Sequence, residues 1–100
     1  MKKSVNGKSF DEIFAERGAQ VQVEEMKIGE YYFTECPTFL IDWISIFDKI
    51  DEGKVWRIIS IANSGNLYGN GSIGINEIGV IFTATPDQIA LLNLYKSESK

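Results

Sequence analysis

Residues 75–97, INEIGVIFTATPDQIALLNLYKS, decide how the rest of the chain is read. Thr85 is a good helix N-cap, and Pro86 stands where the first helical residue belongs, since its missing N–H is not needed there. Asp87 adds negative charge to the first turn, where the helix dipole favours it. Before this cap, Ile78 and Phe82 are four apart and share one helix face. After it, Ile89 and Leu92 are three apart and meet that face. Gly79 is small enough for two helices to cross closely. This spacing predicts a helix over 76–83, a tight turn and a second helix from Pro86, a helix-turn-helix arrangement. The rival reading makes Asn76-Glu77 a hairpin turn between strands at 72–75 and 78–83, because Ile78, Val80, Ile81 and Thr83 are rich in β-branching.

Upstream, residues 1–8 are polar, with a turn at Asn6-Gly7, and are expected to be flexible. Ser9 and Glu12 form a Ser-x-x-Glu capping box that opens a helix carrying Phe10, Ile13, Phe14 and Arg17, with Gly18 as its stop. Residues 19–23 alternate as a half-buried strand; Met26 and Ile28 continue an extended pattern to a turn at Gly29-Glu30. Tyr31-Tyr32-Phe33-Thr34 is a second strand, ended by Pro37. Over 38–50, Phe39/Leu40, Trp43/Ile44, Phe47 and Ile50 follow a 3.6 period, so a helix capped by Thr38 and broken at Asp51-Glu52-Gly53 is expected. Residues 55–63 fit a helix through Val55, Ile58, Ile59 and Ala62, or a strand through Val55, Arg57, Ile59 and Ile61. Length and the Gly65 stop favour the helix; β-branching favours the strand. Residues 63–74 form a Gly-, Asn- and Ser-rich loop. The resulting fold class is α+β: one small domain with an N-terminal helix and strands and a helix-turn-helix-like C-terminal half.

Apolar residues make up 44% of the chain, enough for a core, though a 100-residue domain is only modestly stable. No apolar run approaches the ~20 residues of a membrane span. MKKSVNGKSF has no apolar run after its lysines, so a signal peptide is not expected and the cytoplasm is the expected compartment. Cys36 has no partner cysteine, and burial is its expected role. The net charge is −4, with no histidine, and the first fifty residues hold nine acids against six bases. An acidic field does not gather phosphates.

From Tyr31 to Ser97 the order of features resembles the winged-helix, helix-turn-helix domains of phage and plasmid replication initiators. YYFTECP resembles their short aromatic strand and proline, and KVWRIISIANSGN their helix running to a glycine turn. GSIGI resembles the lead-in to two crossing helices, here NEIGVIFTA and TPDQIALL. Thr83 stands where the family carries glycine. The resemblance implies a recognition helix from Pro86 that enters the major groove. Its outward residues would be Asp87, Leu91 and Leu94; none donates to a base edge, and Asp87 repels phosphate. Between Val55 and Tyr95 the only basic residue is Arg57.

The chemistry-bearing patterns are sparse. Gly69-Asn70-Gly71-Ser72-Ile73-Gly74 is formally G-x-G-x-x-G, but too little chain follows for a dinucleotide fold and no Lys-Ser or Lys-Thr accompanies it. Asn70-Gly71-Ser72 is a glycosylation sequon without a secretion signal. No catalytic, cofactor-binding or metal-ligating residue is assigned: histidine is absent, Asp48, Asp51 and Glu52 lack calcium-loop spacing, and no spacing joins Asp42 or Asp48 to a second carboxylate. Tyr31, Tyr32, Phe33, Trp43 and Trp56 lack interleaved Lys and Arg, so core packing accounts for them better than base stacking.

The last helix stands out. If Ile89 and Leu92 face the core, then Leu91, Leu94 and Tyr95 face elsewhere, and a helix apolar all round is buried on all sides. That predicts either a central helix packed on a sheet or a partner interface on Leu91, Leu94 and Tyr95, with Lys96 and Lys100 at its rim. The expected function is a non-enzymatic regulatory module that binds a protein partner or a second copy of itself, in a phage or plasmid type of setting. Two alternatives stand beside it. One is a sequence-specific DNA-binding regulator. The other is an acidic inhibitor of a host nucleic-acid enzyme, presenting Glu24, Glu25, Glu30 and Glu35.

Overall fold

A computed structural model describes residues 2–98. Strands dominate it. The elements are helix α1 (Phe10–Phe14), strands β1 (Gln20–Val21), β2 (Tyr31–Cys36), β3 (Ile41–Asp51), β4 (Lys54–Ala62), β5 (Leu67–Tyr68), β6 (Gly71–Gly74) and β7 (Val80–Thr83), and helix α2 (Pro86–Glu98). One-turn 3₁₀ segments at Val23–Glu25 and Ile75–Glu77 complete them. All seven strands belong to one antiparallel sheet in the order β1-β7-β2-β3-β4-β5, and β6 pairs with the first half of β4, as β5 does with its second half.

The helix-turn-helix half is not formed. Residues 76–83, expected as a helix, run through the Ile75–Glu77 turn and Gly79 into strand β7. Gly79 has φ +80°, and a Cβ there would lie 1.7 Å from the carbonyl oxygen of Glu35. Its smallness therefore serves the approach of two extended backbones, not a helix crossing. The rival hairpin is not formed either: β6 pairs with β4, whereas β7 inserts between β1 and β2.

The helix expected over 38–50 is strand β3, and of the two readings of 55–63 the favoured helix is not formed and the strand is, as β4. They form one long hairpin. Glu52 (φ +56°) and Gly53 (φ +71°) make its two-residue turn, flanked by the Asp51↔Lys54 pair. Positive φ at both central positions matches the right-handed twist of the strands. Asp51-Glu52-Gly53 thus reverses a strand where a helix stop was expected.

Other features follow the sequence directly. Ser9 and Glu12 close the reciprocal capping box of α1, which ends at Ala15, short of Gly18. Tyr31–Cys36 is a strand and Pro37 terminates it. Asn6 and Gly7, both at positive φ, turn the chain between bridged Val5 and Lys8. Cys36 is buried, its thiol 3.1 Å from the carbonyl oxygen of Ile78.

α1 and α2 cover one face of the sheet. Phe10, Ile13, Phe14, Leu91, Leu92 and Tyr95 meet Phe33, Ile44, Ile46 and Ile61 there. Gln88, fully buried, locks the two helices together. Its side-chain oxygen accepts from the Thr85 N–H, and its Nε2 donates to the carbonyls of Ile13 and Glu16, at 3.0 and 2.8 Å. One residue thereby satisfies both the start of α2 and the end of α1. On the opposite face, Tyr32, Phe47, Val55 and Ile81 pack with Ile78, and Val21, Val23, Met26, Ile73 and Ile75 pack against them.

Candidate functional site

The second face is covered only in part, and its open part contains a cleft of about 420 Å³. Phe39 enters from the β2–β3 turn, Ile41 and Trp43 from β3, Lys54 and Arg57 from β4. Ser72, Ile73 and Gly74 of β6 and Glu77 form the remaining wall. Apolar walls with a few convergent polar groups, at this volume, are the ordinary make-up of a ligand site.

Arg57 reaches this face through a local irregularity. Counting back along β4 from Ile61 and Ile59, which pack under the helices, strict alternation would put Arg57 under them too. The ladder slips instead: Ile46 faces Ile59, but Phe47 faces Arg57, leaving Ile58 unpaired. This β-bulge shifts the phase, so Arg57 and Val55 join the second face. The guanidinium of Arg57 lies over the Trp43 ring, 4.6 Å from its centroid. Trp43 in turn meets Tyr68 edge-on at 5.2 Å.

The charge of Arg57 is unanswered within the described residues. Its Nε and Nη1 are buried and have no hydrogen-bond partner. Burial pushes the guanidinium below its ordinary value, and it remains protonated at neutral pH. Arg17 offers a contrast on the helix-covered face. It also stacks on an aromatic ring, that of Phe33 at 4.1 Å, yet its Nε pairs with Glu35 Oε2 at 2.6 Å. Its Nη1 donates to the carbonyls of Phe14 and Glu16. Arg17 is a finished structural contact, and Arg57 is not.

The residues expected to bind a partner fall elsewhere. Leu91 is 0% exposed and Tyr95 7%; both are core, and Leu94 and Lys96 are half-buried. The inward face of α2 is Gln88, Leu91, Leu92 and Tyr95, not a face set by Ile89 and Leu92. Tyr95 accepts a hydrogen bond from the Lys3 N–H through its hydroxyl. The expected rim residue Lys100 lies outside the described residues.

Glu24, Glu25, Glu30 and Glu35 do not assemble into one acidic surface. Glu35 pairs with Arg17 beside the helices, while Glu24 and Glu25 sit on the 3₁₀ turn that covers the other face. Glu25 accepts from the Gln22 N–H at 2.6 Å, and Glu30 is exposed before β2. The G-x-G-x-x-G pattern became β6 and its lead-in, a wall of the cleft. No local pattern joins Phe39, Trp43, Arg57 and Tyr68 in the sequence, because their proximity depends on a hairpin and a bulge.

Among the described residues, no three His, Cys, Asp or Glu side chains are placed to hold a metal ion, and no helix is long and apolar enough to cross a membrane. No protein-family model, curated protein or solved structure matches this chain.

Proposed function

We propose that this protein is a small, non-enzymatic binding module of the cytoplasm that engages a protein partner through the open face of its sheet. The observation that carries this reading is the aromatic and apolar surface around Arg57. Phe39 is 50% exposed and Tyr68 46%, beside half-buried Trp43 and Ile41, with Leu40 84% exposed at the adjoining turn. Aromatic residues and arginine are enriched where proteins bind each other, and contiguous exposed apolar surface commonly marks such a site. Direct DNA binding draws no support from a chain of net charge −4 whose cleft also contains Glu77.

Selection from a displayed random-peptide library tests the reading. Selected peptides are expected to perturb backbone amide resonances of residues 39–43, 54–57 and 68–74. Peptides that perturb only α2, or a library that yields no binder, would count against it.

A further inference from the structure

We propose that the cleft at Arg57 recognises a single carboxylate carried next to an apolar or aromatic group on a partner polypeptide, such as a chain end with a large hydrophobic last residue. This rests on the reading of the open face as a protein-binding surface, and adds the chemistry that the face selects.

Three observations carry it. First, Arg57 is a cation whose Nε and Nη1 are shielded from water and bonded to nothing. Buried charges are ordinarily paired, so the chain leaves a place for an anion. Second, the remaining nitrogen is bordered by a glycine. Nη2 lies beside Gly71, where a Cβ would come 3.8 Å from it, and the absent side chain leaves space at the cleft wall. Third, the surroundings limit the anion. Lys54 adds one positive charge to the lining and Glu77 one negative, so the cleft has a net charge of about +1, from Lys54 and Arg57 against Glu77. A singly charged carboxylate matches that balance, whereas a doubly charged phosphate would meet Glu77 uncompensated. Phe39, Ile41, Trp43 and Ile73 provide an apolar lining for the group attached to the carboxylate.

A guanidinium held over Trp43 is also positioned before any ligand arrives. Less freedom is lost on binding, and the low-dielectric setting strengthens the charge-assisted bond.

The test is an amide-resonance titration of the ¹⁵N-labelled full chain with N-acetyl-tryptophan and, separately, with N-acetyl-tryptophanamide. Inorganic phosphate and acetate form two further arms. The acid is expected to bind roughly tenfold or more tightly than the amide, and acetate and phosphate more weakly than either aromatic compound binds in its best case. Shifts are expected at Trp43, Arg57 and 71–74. Arg57→Leu is expected to abolish the preference for the acid. Gly71→Val keeps the arginine but fills the space beside Nη2, and it is expected to weaken acid binding about tenfold. It covers the case in which Arg57→Leu does not fold. Equal binding of acid and amide, an acid preference that survives both substitutions, or phosphate binding more tightly than the acid would overturn the proposal. Equal binding at residues 39–43 and 71–74 would still leave the open face as a partner surface. Failure of the library selection would remove that surface itself.

Discussion

Gln88 shows how much of this fold rests on one polar side chain. It is fully buried among apolar residues, yet every polar atom of its amide has a partner, and those partners belong to both helices. Gln88→Ala removes three hydrogen bonds worth about 1 kcal/mol each and leaves buried backbone groups unpaired. Urea unfolding is expected to show a loss of about 3 kcal/mol. Asp42 makes the opposite case. Its carboxyl lies on the helix-covered side of the sheet, where burial raises its pKa; Arg17 nearby lowers it in part and Glu35 adds to the rise. An acid whose folded pKa is raised binds its proton more tightly when folded, so stability falls as pH rises from the unfolded pKa through the folded one. Asp42→Asn is therefore expected to stabilise the protein at pH 7, with an effect that shrinks as the pH falls through the raised folded pKa toward about 4, the ordinary carboxylate value, and vanishes below it. Thermal unfolding of both proteins across pH 3–7 checks the sign.

Among the elements, α2 and the β3–β4 hairpin carry the organisation. α2 is apolar on more than one side because it lies across the sheet while its flanks meet α1 and the N-terminal segment. Lys8 and Asn6 reach back to Asp87, and Lys3 to the Tyr95 hydroxyl. Leu91 is at the centre of that contact, so Leu91→Glu places an unpaired charge in the core. A destabilisation of at least about 4 kcal/mol is expected, close to the whole stability at the lower end for a domain this size. Loss of near-ultraviolet dichroism at 25 °C would register it, whereas a folded variant would return α2 to the surface. In the hairpin, the bulge at Ile58 matters more than strand length, since it alone places Arg57 beside Trp43 on the open face.

On the scale of the molecule, the two faces of the sheet have different fates. Two helices close one. The other is closed over Tyr32, Phe47 and Val55 by the segments around Val23 and Ile78, and left open around Trp43. The asymmetry arises from topology: after β6 the chain crosses beneath the sheet through Ile75–Glu77 to insert β7 between β1 and β2, and that crossing covers only part of the face. The net charge of −4 bears on the same surface. Duplex DNA of any sequence is expected to show no binding at physiological salt in fluorescence anisotropy, because the chain is acidic overall and its cleft offers only one buried arginine and one lysine to displace counterions. Binding with a steep salt slope would contradict this.

What the sequence determined by itself was local. The capping box at Ser9, the turn at Asn6-Gly7, the Thr85-Pro86 start of α2, the aromatic strand before Pro37 and the burial of Cys36 each depend on a few adjacent residues, and each is present. Tertiary structure decided the rest. Apolar residues at 39, 40, 43, 44 and 47 suit a 3.6-residue period, but the run from Ile41 to Phe47 also suits a strand buried on both faces, and periodicity does not separate the two. The choice fell to strands because Glu52-Gly53 allows a tight reversal, and β3 and β4 then satisfy each other's backbone over nearly their whole length. Residues 80–83 likewise became a strand because β1 and β2 offered hydrogen bonds on both sides. The Arg57 cleft lay furthest from the sequence: its walls come from segments up to about forty residues apart, and its central charge was turned to that face by a single unpaired residue in the ladder.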